Sequence, residues 1–230
     1  MRKIANTSDT NLDELDATSG APQQRLLMAA LRLFAEKGFA NTSIRDLAQS
    51  AKVNISAISY YFGDKKGLYN AAFTQTLQCG GHEVLMFQSL PEFDQLSLED
   101  FLRKLLQGFV EPLKLGEVAV WRVRLQMREM IEPTGLWDHE IKFKIAPMLL
   151  AVENRLMKEF NISQIDDAVK GLAFSIMGLG VHVLVSRDVM TQLLPELMNS
   201  ESAIDSYAQQ LVFYALAMVE AEKQSRLKSV

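Results

Sequence analysis

The chain has 230 residues, 48% of them hydrophobic, and a formal net charge of −4. That is enough apolar material for one large core, or for a small domain attached to a larger one. The single cysteine, Cys79, excludes an intramolecular disulfide framework and fits a reducing compartment.

Six prolines and twelve glycines are few for this length, and strand-like alternation is hard to find. Leu, Met, Ala, Glu, Gln and Lys recur instead at helical spacing, which predicts an all-α protein. Residues 1–20 are rich in Ser, Thr, Asn and Asp and are expected to form a disordered N-terminal arm. They contain no apolar run suited to a secretion signal. Nor does any segment offer about eighteen uninterrupted apolar residues. Residues 171–186 come nearest, and His182 lies inside them. The expectation is a cytoplasmic chain without a membrane partner.

Pro22 sits where a first-turn proline is tolerated. Leu27, Ala30, Leu31 and Phe34 then follow at i, i+3, i+4 and i+7, and Gly38 stops the helix. Thr42 or Ser43 caps a second helix, with Ile44, Leu47, Ala48 and Ala51 as its apolar stripe. After the short turn Lys52-Val53-Asn54, with Asn54 as the cap, a third helix is expected over 54–61. Two short helices joined tightly and resting on a longer first one make a helix-turn-helix pattern. Asp64 caps a fourth helix to about residue 78.

Charge is unevenly distributed. Residues 21–69 hold seven basic and three acidic side chains, a net of +4 that leaves −8 on the rest. A small basic module on an acidic body results. In the third helix, if Ile58 faces inward, Ser56, Ala57 and Tyr60 lie opposite at about 100° per residue. Small residues beside one long polar aromatic suit the floor of a DNA major groove, where backbone approaches base edges. Tyr61 is a quarter turn away, within reach of a phosphate. Phe62, at the helix end, turns back to the core. Lys65 and Lys66 open the fourth helix and reinforce its positive end. Thr42 and Arg45 would grip the other side of the groove, so that phosphate contacts set register and the third helix reads bases.

The string "LFAEKGFANTSIRDLAQSAKVNISAISYYFGDKKGLY" (33–69) resembles the N-terminal DNA-binding domain of TetR-family transcriptional regulators. The features agree in order over roughly 22–72. The resemblance implies DNA-facing positions at Thr42, Ala57, Tyr60, Tyr61 and Lys65, joined by Ser43, Arg45, Asn54, Ser56 and Ser59 around them. The chain departs from the family pattern at Lys52, where glycine is common. It departs also at Ile55-Ser56, where lysine or proline precedes glycine, and at Ser59, where tyrosine is common. These departures bear on base preference. The string "RLQMREMIEPTGLWDHEIKFKIAPMLLAVENRL" resembles the C-terminal domain of the family's CecR-type (YbiH-type) branch. A domain organisation of 21–68 for DNA binding and 69–230 for ligand binding and dimerisation is implied.

Within that larger region, helices are expected over 97–115 (capped by Ser97 with Asp100), 117–131 (ended by Pro133) and 136–160 (around Pro147). By resemblance these form a cage for a small-molecule effector. Trp121, Met127, Met130, Trp137 and Met148 would supply adaptable lining, and Arg124, Arg128 and Glu129 would orient a polar group. A Met or Trp on a helix more often packs a core, so the region and no single side chain is the expectation. Segments 164–187 and 201–226 carry more apolar residues than one buried stripe needs, so they are expected to pair with a second copy. Gly178 and Gly180 would permit close approach there. Cys79, His82 and Glu83 are too few for a metal site. No nucleophile elbow, phosphate loop or dinucleotide fingerprint points to an enzyme or a cofactor, and Glu129 with Glu132 suggests a solvated face. The resulting expectation is a homodimeric repressor that binds a near-palindromic double-stranded operator and leaves it when a small molecule binds. An architectural or division-site DNA-binding factor without a ligand is the rival.

Overall fold

Pro22 occupies the first turn of α1 (Pro22–Lys37), where its missing N–H costs no hydrogen bond. The computed structural model describes residues 21–75 and 95–228. The polar stretch 1–20 and the Cys79, His82, Glu83 group lie outside the described residues. Gly38, at φ 80°, closes α1 by donating its N–H to the Phe34 carbonyl at 2.9 Å. The buried face is broader than the expected stripe. Leu26 and Ala29 join Ala30, Leu31 and Phe34 in full burial, while Leu27 is half-buried.

Ser43, the second of the two expected caps, starts α2 (Ile44–Ser50). Its hydroxyl accepts the Asp46 N–H at 3.0 Å, and Asp46 accepts the Ser43 N–H at 3.1 Å, a reciprocal capping box. The Ser43 hydroxyl and N–H hold the Asp46 carboxyl below the usual carboxylate range. Ile44 was expected in the core but is 40% exposed. Leu47, Ala48 and Ala51 set the buried face against α1 and leave the first turn at the surface.

The turn after α2 is a Schellman motif. Val53 N–H reaches the Ala48 carbonyl at 3.0 Å and Lys52 N–H the Gln49 carbonyl at 3.1 Å. Lys52 adopts φ 50°, the left-handed region that glycine occupies at least cost. Asn161 makes the same motif after a later helix, with φ 54°. Beyond the turn lie α3 (Ser56–Phe62) and α4 (Lys65–Gln75). α4 packs on α1 through Leu68, Tyr69, Ala72 and Phe73, all at most 2% exposed.

The described residues divide into two compact units, 21–75 and 95–228, each with its own core. In the second, α5 (Leu98–Val110) is central, and α10 (Glu201–Lys228) and α9 (Asp167–Leu193) pack against it. α5 buries Phe101, Leu102, Leu105, Leu106 and Phe109, and Ser97 caps it by accepting the Asp100 N–H at 3.1 Å. A 3₁₀ turn, Glu111–Lys114, leads into α6 (Gly116–Ile131). α7 (Trp137–Glu140) runs through a π turn, Ile141–Ile145, into α8 (Ala146–Phe160). Pro147 supplies no N–H to the preceding turn and its ring crowds the carbonyl four residues back, so a wider turn there relieves the clash. No strand occurs among the described residues.

α9 exceeds the expected 164–187 segment at its C-terminal end. By length and composition alone it is long and apolar enough to cross a membrane. The sequence reading ended the segment at residue 187, yet the helix continues to Leu193. One side of α9 packs into the core through Val169, Ala173, Ile176 and Val183, each fully buried. Gly180 belongs to that packed side: a Cβ there would sit 2.3 Å from the Phe109 ring. The expected role of Gly180 in pairing with another copy is thus replaced by helix approach within the chain. Gly178 is exposed, with nothing near its missing Cβ.

The ends of α9, α8 and α10 meet at one charged node. Asp166 caps α9 by accepting the Val169 N–H at 2.9 Å. Arg226 grips the same carboxylate through two N–H bonds of 2.8 and 2.9 Å, and its guanidinium lies 4.9 Å over the Phe160 ring. The Arg226 hydrogen bond, followed by that of Val169, lowers the Asp166 carboxyl to about 2.

Because that value is depressed by folding, the node's contribution is full above about pH 4 and fades as pH falls toward 2. Arg226→Gln is expected to return the Asp166 midpoint toward its ordinary 3.8 in a carboxyl NMR titration; an unmoved midpoint would assign the whole effect to the capping N–H. Gly180→Ala forces the Phe109 ring aside and is expected to cost about 2 kcal/mol in urea denaturation; an unchanged midpoint would mean α5 and α9 separate freely.

Candidate functional site

α3 owes its orientation to one buried side chain and two clamped ends. Ile58 is 1% exposed, the only buried residue of α3. At the N-terminal end the Asn54 side-chain oxygen accepts the Ser56 N–H at 2.9 Å and the Ser56 hydroxyl at 2.9 Å. The Asn54 side chain thus closes the turn just before α3, one residue ahead of the N-cap position, which Ile55 holds without a side-chain cap bond. At the other end a Cβ on Gly67 would fall 2.0 Å from the Phe62 carbonyl oxygen. Only glycine lets α4 start this close to the end of α3. Asp64 accepts the Gly67 N–H at 2.7 Å and caps α4.

With Ile58 inward, Ser56 and Ser59 are exposed, Ala57 is half-buried and Tyr60 is 82% exposed. Tyr61 meets Tyr60 edge to face at 4.8 Å between ring centres. Lys65 is half-buried, its ammonium 4.4 Å over the Phe39 ring. Phe39 packs in turn on Tyr69 at 5.1 Å and on Phe34 at 5.9 Å. The sequence reading quoted Phe39 within the string that resembles the family but gave it no role. Its position directly after the helix-stopping Gly38, beside the Phe34 stripe, was the available signal.

One expected contact changes role. Thr42 is 1% exposed, and its hydroxyl donates to the Gly38 carbonyl at 2.8 Å, with the Leu33 carbonyl at 3.3 Å. Spent on the turn after α1, that hydroxyl is withdrawn from any groove. Ser43 and Arg45 are exposed, and the Ser43 hydroxyl is engaged by Asp46. Two of the seven basic residues also work internally. Arg25 donates to the Ala51 carbonyl at 3.0 Å and Arg32 to the Ser50 hydroxyl at 2.9 Å, holding α2 against α1.

The second unit opens a cavity of about 320 Å³ between α6 and α9, with Pro112 and Leu113 at one end. Arg124, Met127 and Arg128, three of the residues proposed from the sequence, line it. Trp121, Met130, Trp137 and Met148 are not among its lining residues. Met148 is 2% exposed within the core and Met130 is 41% exposed, while Trp121 and Trp137 are half-buried. The facing wall is α9, through Leu184, Val185, Arg187 and Asp188; the expected 97–115 segment contributes only Pro112 and Leu113, and the 136–160 segment nothing. Arg124 and Asp188, 64 positions apart in sequence, form an ion pair of 2.6 Å across it. Glu129 is fully buried and not solvated. It accepts the Thr134 N–H at 2.7 Å and the Leu136 N–H at 3.1 Å, and so ties down the loop after α6. No cluster of three or more His, Cys, Asp or Glu able to hold a metal occurs among the described residues.

Residues 26–72 match the model for bacterial regulatory proteins of the tetR family, and residues 98–218 match that for the C-terminal domain of the HTH-type transcriptional dual regulator CecR. The second match alone covers more than half of the chain. The chain belongs to the TetR family. This TetR-family protein is 34% identical over 163 residues to the HTH-type transcriptional regulator BetI of Stenotrophomonas maltophilia, covering 68% of the chain and 78% of the relative. It is 26% identical over 133 residues to CecR of Shigella flexneri, covering 55% of the chain and 59% of the relative. Over 46 residues it is 48% identical to the probable HTH-type transcriptional regulator YttP of Bacillus subtilis, covering 20% of the chain and 22% of the relative. The matched segments thus span less than two thirds of CecR and YttP. In fold it is similar to a TetR-like transcriptional regulator from Rhodococcus sp. RHA1, with TM-score 0.59, 18% identity, and 85% and 96% of the two chains covered. A SmeT–triclosan complex is similar at TM-score 0.54 and 20% identity, with 88% and 91% covered. The chain is a DNA-binding transcriptional regulator of this family.

Thr42→Val removes one buried hydroxyl bond without changing shape. It is expected to cost about 1–2 kcal/mol of stability in urea denaturation and to leave the DNA affinity of the folded fraction unchanged. A loss of affinity at full stability would restore Thr42 to the DNA contacts.

Proposed function

We propose that this regulator is a ligand-responsive repressor that binds a near-palindromic operator as a homodimer. α3 enters the major groove of each half-site. Ser56, Ala57, Ser59 and Tyr60 meet base edges, and Tyr61 and Lys65 hold phosphate. Ser43, Arg45 and Asn54 approach the backbone around them. The observation that carries this reading is the outward face of α3, with Tyr60 82% exposed while Ile58 on the opposite side is buried. A side chain of that size held in water by a short, clamped helix is suited to fill a groove. The cation–π seat on Phe39 supports the phosphate role of Lys65, because it aims the ammonium from the start of α4.

A dimer through 164–187 and 201–226 is supported by apolar side chains that the chain's own core leaves uncovered. Phe174 and Val185 on α9 are 68% and 57% exposed, and Phe213 and Tyr214 on α10 are 62% and 46% exposed. Helices of this kind from two copies make a four-helix interface. Release by a small molecule is supported by the cavity between α6 and α9 and by the triclosan-bound fold neighbour. An architectural factor has no use for such a cavity. The effector would bind two dimer geometries unequally and favour the one that misfits the half-site spacing. The working compartment is the cytoplasm, where the operator lies.

Gel shifts with DNA flanking the regulator's own gene test this reading, and failure to retain any fragment at low salt would sink it. Lys65→Ala is expected to weaken binding to all sequences alike and to reduce the slope of log affinity against log salt by about 1. Tyr60→Ala is expected to lose about 1–3 kcal/mol unevenly among operator variants. A uniform loss would demote Tyr60 to backbone positioning.

A further inference from the structure

The cavity between α6 and α9 restricts the chemistry of its occupant, an inference that rests on the ligand-responsive reading above. Its walls are mainly apolar, with Leu113, Val120, Val123, Met127 and Leu184 among them. Its charged lining is three guanidinium groups, Arg124, Arg128 and Arg187, and two carboxylates, Glu132 and Asp188. Asp188 is shared, 2.6 Å from Arg124 and 3.7 Å from Arg187. The side chains of Arg124 and Asp188 are 38% and 62% exposed, so water already competes for this pair and it opens at little cost.

We infer that the cavity takes an apolar monocarboxylate. Its carboxylate replaces Asp188 on Arg124, and its hydrocarbon part lies along Val120, Val123 and Leu184. A guanidinium presents two parallel N–H groups that match a carboxylate, and the exchange keeps Arg124 paired while covering apolar wall. One added negative charge also balances the charged lining. A cationic amphiphile would raise a positive excess in a partly dry site, and a neutral one offers Arg124 nothing better than Asp188. At about 320 Å³ the space is near the small end of ligand pockets, which suits an acid with one ring or a medium chain. Because Asp188 lies on α9, the exchange cuts a tie between α6 and the helix that carries the proposed dimer face.

Titration calorimetry of the full chain with decanoate, decan-1-ol and decyltrimethylammonium, each below its micelle concentration, tests the inference, with the same three added to gel shifts. Decanoate is expected to saturate one site per chain and to release DNA, and the other two to do neither at about tenfold higher concentration. Arg124→Met is expected to weaken decanoate binding at least about tenfold. Asp188→Asn is expected to strengthen it several-fold, because the competing carboxylate is gone. Misfolding cannot produce that gain, so this variant decides the matter even if Arg124→Met unfolds. Equal binding of the alcohol or the cation, or no response to either substitution, would overturn the inference. Decanoate binding without DNA release would leave the inference standing and defeat the ligand-responsive repressor. DNA release by decan-1-ol with no decanoate binding would do the reverse.

Discussion

A seven-residue helix has no stability of its own in water, so the outward face of α3 exists only through what holds it. Ile58 supplies the one buried anchor, and the Asn54–Ser56 bond fixes the entry. The exit depends on Gly67, whose missing side chain lets the next helix begin under the Phe62 carbonyl. The rings of Phe34, Phe39 and Tyr69 then seat Lys65 beside that junction. Each tie is small, but together they leave Tyr60 facing water, packed edge to face on Tyr61. The proposed function rests on what α3 is prevented from burying.

The second unit works through a helix with three different sides. α9 packs one side on α5, so closely that Gly180 has no room for a methyl group against Phe109. Another side closes the cavity with Leu184, Arg187 and Asp188. A third leaves Phe174 uncovered, and Val185, 57% exposed, lies between it and the cavity. The Asp166–Arg226 node pins the start of this helix to the end of α10. A rigid rod fixed at its start and touching the cavity through residues 184–188 would carry the proposed exchange at Asp188 to its exposed face, since packed helices move as units.

Local rules made much of this legible in the chain alone. Period and caps located α1, α2, α3 and α4, because Pro22, Gly38, Ser43, Asn54 and Asp64 act on backbone within a few residues of themselves. The aromatic run 60–62 could be divided by helix geometry, and the exposed Tyr60 and buried Ile58 agree with that division. The same rules failed where a residue had two local uses. Thr42 satisfied the pattern of a cap or a phosphate donor, yet its hydroxyl closes the turn after α1. Ile44 fell on the right period for the core, but sits in a first turn that no neighbour covers.

The sequence by itself determined the class, the helix-turn-helix and the identity of the residues that α3 presents, since these follow from spacing over one or two turns. Only tertiary structure decided which helix faces the cavity, because Arg124 and Asp188 meet across 64 positions and nothing local records that distance. It also decided that Met148 fills the core while Met127 lines the cavity. Both are methionines on apolar helical faces, and only the neighbouring helix distinguishes a packed side from an open one.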